Sequence, residues 1–274
     1  MGHASLRKKS RNSIPVSRRF FRRVRSALLR HEFLYRWVLR RKFGRDRLEH
    51  LPQTALPNGV LKTRAEWEKA SERARALGLP LHRGAVKNWD HVAAILAIAN
   101  RVPATGRVLD AGAELYSNVL PGLYICGFRD LVGINLAFRD QARRGPIRYL
   151  PGDITATEFP DASFDAVTCM SVIEHGVPLE AYFREMHRVL KPGGLLITST
   201  DYFPERIDTG GLTAYGSDVI VYDREQAREI LALAARCGFE QTGEIDLECE
   251  QRPVSWDEYG LEFTFLIFTL RKRP

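Results

Sequence analysis

Residues 152–200 read GDITATEFPDASFDAVTCMSVIEHGVPLEAYFREMHRVLKPGGLLITST, and the reading of this stretch decides the fold. Phe164 to Met170 is a short run, mostly apolar, that reads as a strand. From Leu179 to Leu190 the apolar residues Leu179, Tyr182, Phe183, Met186, Val189 and Leu190 fall at three- and four-residue steps, one face of a helix. Lys191-Pro-Gly-Gly194 stops that helix, since proline cannot donate to it and glycine tolerates the left-handed turn that ends it. Leu195 to Thr200 then reads as another strand. Two strands joined by one helix lie parallel.

The alternation continues on both sides. Toward the N-terminus, Ile147–Leu150, Leu131–Asn135 and Arg107–Asp110 are short apolar runs, preceded by a helix over about 88–100. Thr63 with Glu66 three residues on predicts a capping box, opening a helix that Gly78 and Pro80 close. Residues 51–62, with two prolines and a glycine, read as a linker. Toward the C-terminus, Asp223 caps a helix from Arg224 to Arg236, and two late strands are predicted near 240–248 and 261–270 with no helix between them. The expected fold is α/β: an open, mostly parallel sheet covered by helices on both faces, with an antiparallel edge. Three segments follow: a basic N-terminal arm (1–50), a linker with a helix (51–86), and the α/β domain (87–274).

Composition narrows the function classes. The 274 residues are 45% hydrophobic and 27% charged, ordinary for a globular protein. Cys126, Cys169, Cys237 and Cys249 are scattered without zinc spacing, which points to a reducing compartment and argues against a structural metal. No uninterrupted apolar run reaches membrane-spanning length. Residues 1–50 hold 16 Lys and Arg against three acids, whereas the other 224 residues hold 25 bases and 30 acids. An acidic body thus carries a basic arm. Residues 1–18 lack the apolar content to fold and read as a mobile tail. From Ser17 to Lys42, Phe20, Val24, Leu28, His31, Tyr35 and Val38 form one helical stripe, widened by Phe21, Leu34 and Trp37 and edged by arginines. Such a face packs on its own body, or docks on an anionic membrane surface or a protein partner through residues 17–42. Phosphate contacts to a nucleic acid are the weaker reading, given the acidic body. Arginines interrupt any secretory apolar core, while an Arg- and Ser-rich start without acids has the composition of a mitochondrial presequence. The expected location is cytoplasmic, with peripheral membrane association.

In an open parallel sheet, ligands sit beyond the carboxyl ends of the strands, where strand order reverses. After the first strand stands Asp110-Ala-Gly112-Ala113-Glu114. Gly112 lets backbone approach a ligand closely. The dinucleotide fingerprint G-x-G-x-x-G is absent, and Glu114 would repel a pyrophosphate. The loop suits a ligand with a cationic or zwitterionic end.

VLDAG (108–112), VGIN (132–135), GDIT (152–155), FPDASFDAVTCMSVIEH (159–175) and RVLKPGGLLITST (188–200), in that order, resemble the class I S-adenosylmethionine-dependent methyltransferases over about 87–274. The resemblance implies a Rossmann-like seven-stranded sheet with an antiparallel last strand, and S-adenosylmethionine as cofactor. It places Asp110 and Gly112 in the first glycine motif, with Ala113 beside the methionine part of the cofactor; Glu114 either faces solvent or pairs with the cofactor's ammonium group. Asn135 falls where the family carries an acid for the ribose, Asp153 and Ile154 at the adenine, and Met170 and Ser171 near the transferable methyl. The later glycines of that motif are here Glu114 and Tyr116. Some relatives bind a divalent metal through an acid at the position of Ser171, so no metal is expected.

For catalysis the candidates are His175, Asp201 and Tyr202. His175 is titratable near neutral pH and is either a general base or, with Glu174, a brace for local backbone. Asp165 reads as a turn anchor. Residues 201–222, rich in Gly, Tyr and acids, read as an acceptor lid, with Tyr215 beside Asp201 and Tyr202 as groups that orient a hydroxyl. The function expected is methyl transfer to a hydroxyl of a sugar, polyketide or lipid-linked acceptor. The rival expectations are a non-catalytic protein that binds the cofactor or its product, and a nucleic-acid methyltransferase that grips phosphates with the arm.

Overall fold

A computed structural model describes residues 27–44, 50–214 and 216–274. The elements, in chain order, are α1 (Glu32–Phe43), β1 (Gly59–Val60), α2 (Arg64–Leu77), α3 (Asn88–Arg101), β2 (Arg107–Ala111), α4 (Val119–Ile125), β3 (Asp130–Asn135), β4 (Ala142–Arg144), β5 (Ile147–Pro151), β6 (Phe164–Met170), α5 (Leu179–Val189), β7 (Leu190–Tyr202), β8 (Thr213–Ala214), β9 (Ser217–Asp218), α6 (Arg224–Arg236), β10 (Phe239–Gln241), β11 (Val254–Trp256) and β12 (Leu261–Lys272).

Leu, Val and Ile fill the central strands, which are buried on both faces as parallel strands must be. The sheet runs β1-β12-β7-β6-β2-β3-β5-β4, with β7, β6, β2, β3 and β5 parallel and β12 antiparallel to β7. This is the mostly parallel α/β sheet with an antiparallel last long strand that the sequence predicts. The count exceeds seven because short segments add to both edges. β1, within the expected linker, pairs with β12 through Val60 and Leu266, and β4 pairs with β5. The late strand expected over 240–248 is only Phe239–Gln241, and β11 is a separate short strand on β12.

One face of the sheet packs on α1, α3 and α4 through Tyr35, Leu39, Ile95, Ile98, Leu120 and Tyr124. The opposite face packs on α5 and α6 through Tyr182, Phe183, Met186, Ile230 and Ala234. α6 begins with a full capping box between Asp223 and Gln226. The box expected at Thr63 is not made. Thr63 is the N-cap but its side chain makes no capping bond, and Glu66 instead accepts from the Lys62 amide at 2.9 Å. Lys191-Pro-Gly-Gly194 is taken into β7 as an irregularity rather than ending outside it. The register jumps there from Phe164 opposite Leu190 to Ala166 opposite Leu195.

The helix expected over 17–42 lies outside the described residues before Ala27. Within them it is broken, because His31 is extended (φ −78°, ψ 121°) and α1 starts afresh at Glu32. α1 turns Tyr35 and Leu39 onto the body and leaves Leu28 before it, Phe33 and Trp37 exposed. Among the described residues no helix is long and apolar enough to cross a membrane.

Candidate active site

Strand order reverses between β2 and β6, so the crevice beyond their carboxyl ends is the place to look for a ligand. Asp110 ends up on β2 at this point, fully buried, accepting from the Thr168 hydroxyl of β6 at 2.8 Å and from Ser117. Burial pushes its carboxyl up to about 7, and these two hydroxyl bonds only partly offset the lost hydration. Gly112 follows with φ +86°, and a side chain there would overlap Val172, so the turn needs glycine. Glu114 is partly desolvated and its carboxyl is raised as well. His82 and His91 lie edge to face at 5.1 Å behind this loop, and burial lowers both, His82 to about 4. Burial thus pushes both toward the neutral form.

Asn135 is already committed. Its amide nitrogen donates to the Gly112 and Ala113 carbonyls at 3.2 and 3.0 Å, while its oxygen accepts from the Ala137 amide at 2.8 Å. It clasps the glycine loop to β3, both of its amide hydrogens taken up by that loop. Asp153 opens an Asx turn, one carboxylate oxygen accepting from both the amide and the hydroxyl of Thr155 at 2.8 and 2.7 Å. Ile154 beside it is buried.

At the ends of β6 and β7 a second polar group assembles. Ser171 holds a left-handed backbone (φ +52°), rare for a residue with a side chain, fixed by its amide donating to the Ser199 carbonyl at 2.9 Å. The Lys87 ammonium donates to the Ser171 hydroxyl and lies 4.0 Å from the Phe265 ring centroid. Ser199 donates to Asp90 at 2.6 Å, and Thr200 donates to Glu174 at 3.0 Å. Glu174 and Asp201 share a hydrogen bond, both buried. Burial, then the neighbouring Asp201, hold Glu174 protonated far above the usual carboxylate range, while Asp201 rises to about 6 with Lys87 pulling against the rise. The two carboxyls thus titrate as a coupled pair beside Lys87, with Glu174 the harder to ionise.

The structure thus brings Asp110, Gly112, Ala113, Glu114, Met170, Ser171 and Asp201 to one end of the sheet, with Asn135, Asp153 and Ile154 on the adjoining strand ends. His175 is half-buried near Lys87, and burial lowers its imidazole. Tyr202 does not belong here. Side chains alternate along a strand, so it faces away from Asp201, is fully buried, and donates to the Leu247 carbonyl at 2.8 Å. Tyr215 lies outside the described residues. The lid segment is pinned at both ends, by Tyr222 donating to Asp201 and Phe203 donating to Tyr222 through their backbones, and by the Tyr222 hydroxyl on the Ile173 carbonyl. Lys87, Asp90 and Glu174 are the members that sequence reasoning missed as a group. Their one signal is a charged residue at each edge of an apolar element, and pairing across 114 positions of chain hides it. Among the described residues no three His, Cys, Asp or Glu side chains form a metal-binding group.

Residues 119–198 match the family model of a methyltransferase domain. A sterol 24-C-methyltransferase of Clavispora lusitaniae is 30% identical over 171 residues, 55% of this chain and 44% of that protein. One from Yarrowia lipolytica is 34% identical over 119 residues, 40% of this chain and 30% of that protein. The chain thus spans less than half the length of the curated relatives it matches. Among solved structures, a candidate sarcosine dimethylglycine methyltransferase of Galdieria sulphuraria aligns with a TM-score of 0.51 at 16% identity, over 75% of this chain and 98% of that one, a likeness of fold.

Proposed function

Since this chain carries a class I S-adenosylmethionine-dependent methyltransferase domain, we propose that it methylates a carbon of an apolar, alkene-bearing acceptor, with Asp201 as the base. The donor set suits the cofactor: S-adenosylmethionine is cationic at both its sulfonium and its ammonium, and Asp110, Glu114 and Asp201 supply desolvated acid, with Lys87 beside Asp201. When bound, the cofactor supplies an electrophilic methyl group. The Gly112–Ala113 backbone would hold its methionine part, Asp110 and Glu114 its ammonium, Asp153 and Ile154 its adenine, and Met170 and Ser171 the region of the methyl. Asn135 would fix the glycine loop at the position facing the ribose.

The observation that carries the reading is the Asp201–Glu174 pair at the end of β7. Glu174 is the harder of the two to ionise, which favours charge on Asp201, and the Asp201 backbone is tied to the pinned lid beside Lys87. In an alkene acceptor the new carbon–carbon bond would take its electrons from the double bond and leave a cation on the second alkene carbon, and a carbon beside that cation would then lose a proton, its C–H electrons closing a new double bond. Asp201 accepts that proton. The likeness to sterol 24-C-methyltransferases supports carbon, and a sterol-like or isoprenoid alkene, as the acceptor. A second reading, transfer to a hydroxyl of a lipid-linked, sugar or polyketide acceptor, is favoured by the hydroxyls of Ser171 and Thr200 at the same place. Asp201 would then deprotonate that hydroxyl.

Incubation of the purified chain with methyl-labelled S-adenosylmethionine and a panel of isoprenoid alkenes, sterols and hydroxylated lipids separates these readings. Carbon-bound and oxygen-bound methyl groups resonate in different regions of the carbon-13 spectrum. A carbon-bound product is expected. An oxygen-bound product moves the reading to the hydroxyl, and tight S-adenosylhomocysteine binding without turnover on any acceptor makes the domain a binding module.

A further inference from the structure

The six large hydrophobic side chains exposed among the described residues are Leu28, Phe33, Trp37, Leu115, Tyr116 and Leu136. They are not scattered as single surface apolars usually are. Leu136 follows Asn135, whose side chain grips the Gly112 and Ala113 carbonyls of the loop that bears Leu115 and Tyr116. The Leu115 carbonyl accepts from Arg144, and the next residue, Gly145, donates its amide to the Leu29 carbonyl at 2.8 Å and abuts Tyr35 of α1. The mouth of the cofactor crevice and the helix of the basic arm are therefore one continuous rim.

Charge follows the same rim. Residues 27–44 hold Arg30, Arg36, Arg40, Arg41 and Lys42 against Glu32, and residues 136–148 hold Arg139, Arg143, Arg144 and Arg148 against Asp140. Tyr35 and Leu39 are spent on the body, so the helix is anchored by one side while Phe33 (77% exposed) and Trp37 (55%) project from the other. Leu136, at 76%, does the same beside the site. Projecting aromatic and aliphatic tips among arginines match the boundary of an anionic bilayer, where tips enter the acyl region and guanidinium groups meet lipid phosphates.

We propose that this rim docks on an anionic lipid surface and sets the mouth of the crevice against the bilayer, so that an apolar acceptor enters from the membrane. The inference deepens the apolar-acceptor reading and names where that acceptor is drawn from. The full chain is sedimented with vesicles of phosphatidylcholine alone and with phosphatidylglycerol added, and S-adenosylhomocysteine affinity is measured separately without lipid. Binding to the anionic vesicles is expected to exceed that to neutral ones by at least about tenfold. Phe33→Asp with Trp37→Asp, and separately Leu136→Asp, should each weaken it while leaving S-adenosylhomocysteine affinity in place. Brominated acyl chains should quench the fluorescence of the wild type and not that of Trp37→Phe.

Three results overturn the proposal. One is no vesicle binding by a chain that still binds S-adenosylhomocysteine. Another is salt-sensitive binding indifferent to the Asp substitutions, which leaves the charge of the arm as the sole attraction. The third is lipid-free self-association abolished by the Phe33 and Trp37 substitutions, which gives the face to a second copy. Loss of S-adenosylhomocysteine binding with vesicle binding intact strikes the methyltransferase reading instead.

Discussion

Acids stand at both ends of the β6–β7 pair, in opposite conditions. At the amino ends, Asp165 accepts from the Lys191 ammonium at 2.8 and 2.9 Å and from the Arg107 amide at 2.8 Å. Glu185 nearby is partly buried, which favours its neutral form, yet Arg188 and both the amide and hydroxyl of Thr157 bind it and hold it ionised. At the carboxyl ends, Asp110, Glu174 and Asp201 are more deeply buried, Asp110 held by the hydroxyls of Thr168 and Ser117 and the Glu174–Asp201 pair facing Lys87, and all three are raised. An ionised acid that is fully paired holds structure together. One left undercompensated in a crevice costs stability and is a marker of function.

The largest test of that contrast is Asp201→Asn. It should lower kcat by about 10²–10⁴-fold with the melting temperature unchanged or higher, since it removes a desolvated charge and keeps the shape. The wild-type rate should show an acid limb near the about 6 of Asp201, and the variant should lose it. Equal rates in both would break the assignment of the base.

Gly112→Ala probes the loop that the same end depends on. A methyl group at φ +86° against Val172 should cost about 3 kcal/mol in denaturant unfolding and weaken S-adenosylhomocysteine binding. Full stability would mean that the turn relaxes.

Asp110 makes a prediction in pH. The native carboxyl keeps its proton to about 7, whereas the unfolded chain releases it near 3.8, so between these values the native state binds more protons. Stability from this group is present at the acid end of the window and declines as pH rises through it. Asp110→Asn should therefore exceed the wild type by on the order of 2 kcal/mol at about pH 8 and converge with it toward pH 4. Because a cationic ligand prefers the ionised acid, S-adenosylmethionine affinity in the wild type should rise across the same interval.

Asp165→Asn, at the paired end, should cost only about 1 kcal/mol and leave S-adenosylhomocysteine affinity unaltered. A large loss of affinity there would erase the distinction between the two ends.

How much of this was legible follows from range. β2, β3, β5, β6 and α5 declare themselves because periodicity and flanking turns are local. β1 does not, since Gly59 and Val60 become a strand only by meeting residues 266 and 267. α4 carries Pro121 and Gly122, which mask a helix that is held by complete burial. In the site, Asp110 and Gly112 are legible from their place after a strand. The Asp201–Glu174 pair is not, because Thr200, Lys87 and Asp90 converge on it from three separate elements. Tyr202 misled for a simpler reason: a strand that continues two residues further than expected turns its next side chain to the other face.

β12 is a long apolar strand, and an open edge of that kind invites a second molecule to add its own strand. Here β1, β10 and β11 pair with it at residues 266–267, 270–272 and 261–263, on top of its pairing with β7. Short pieces of chain thus occupy most of its length, and the opposite border of the sheet is the three-residue β4 with its two arginines. The protein has closed the route by which sheets polymerise. A substitution that frees Gly59 and Val60 would be felt first as aggregation, before any change in the chemistry at the other end of the fold.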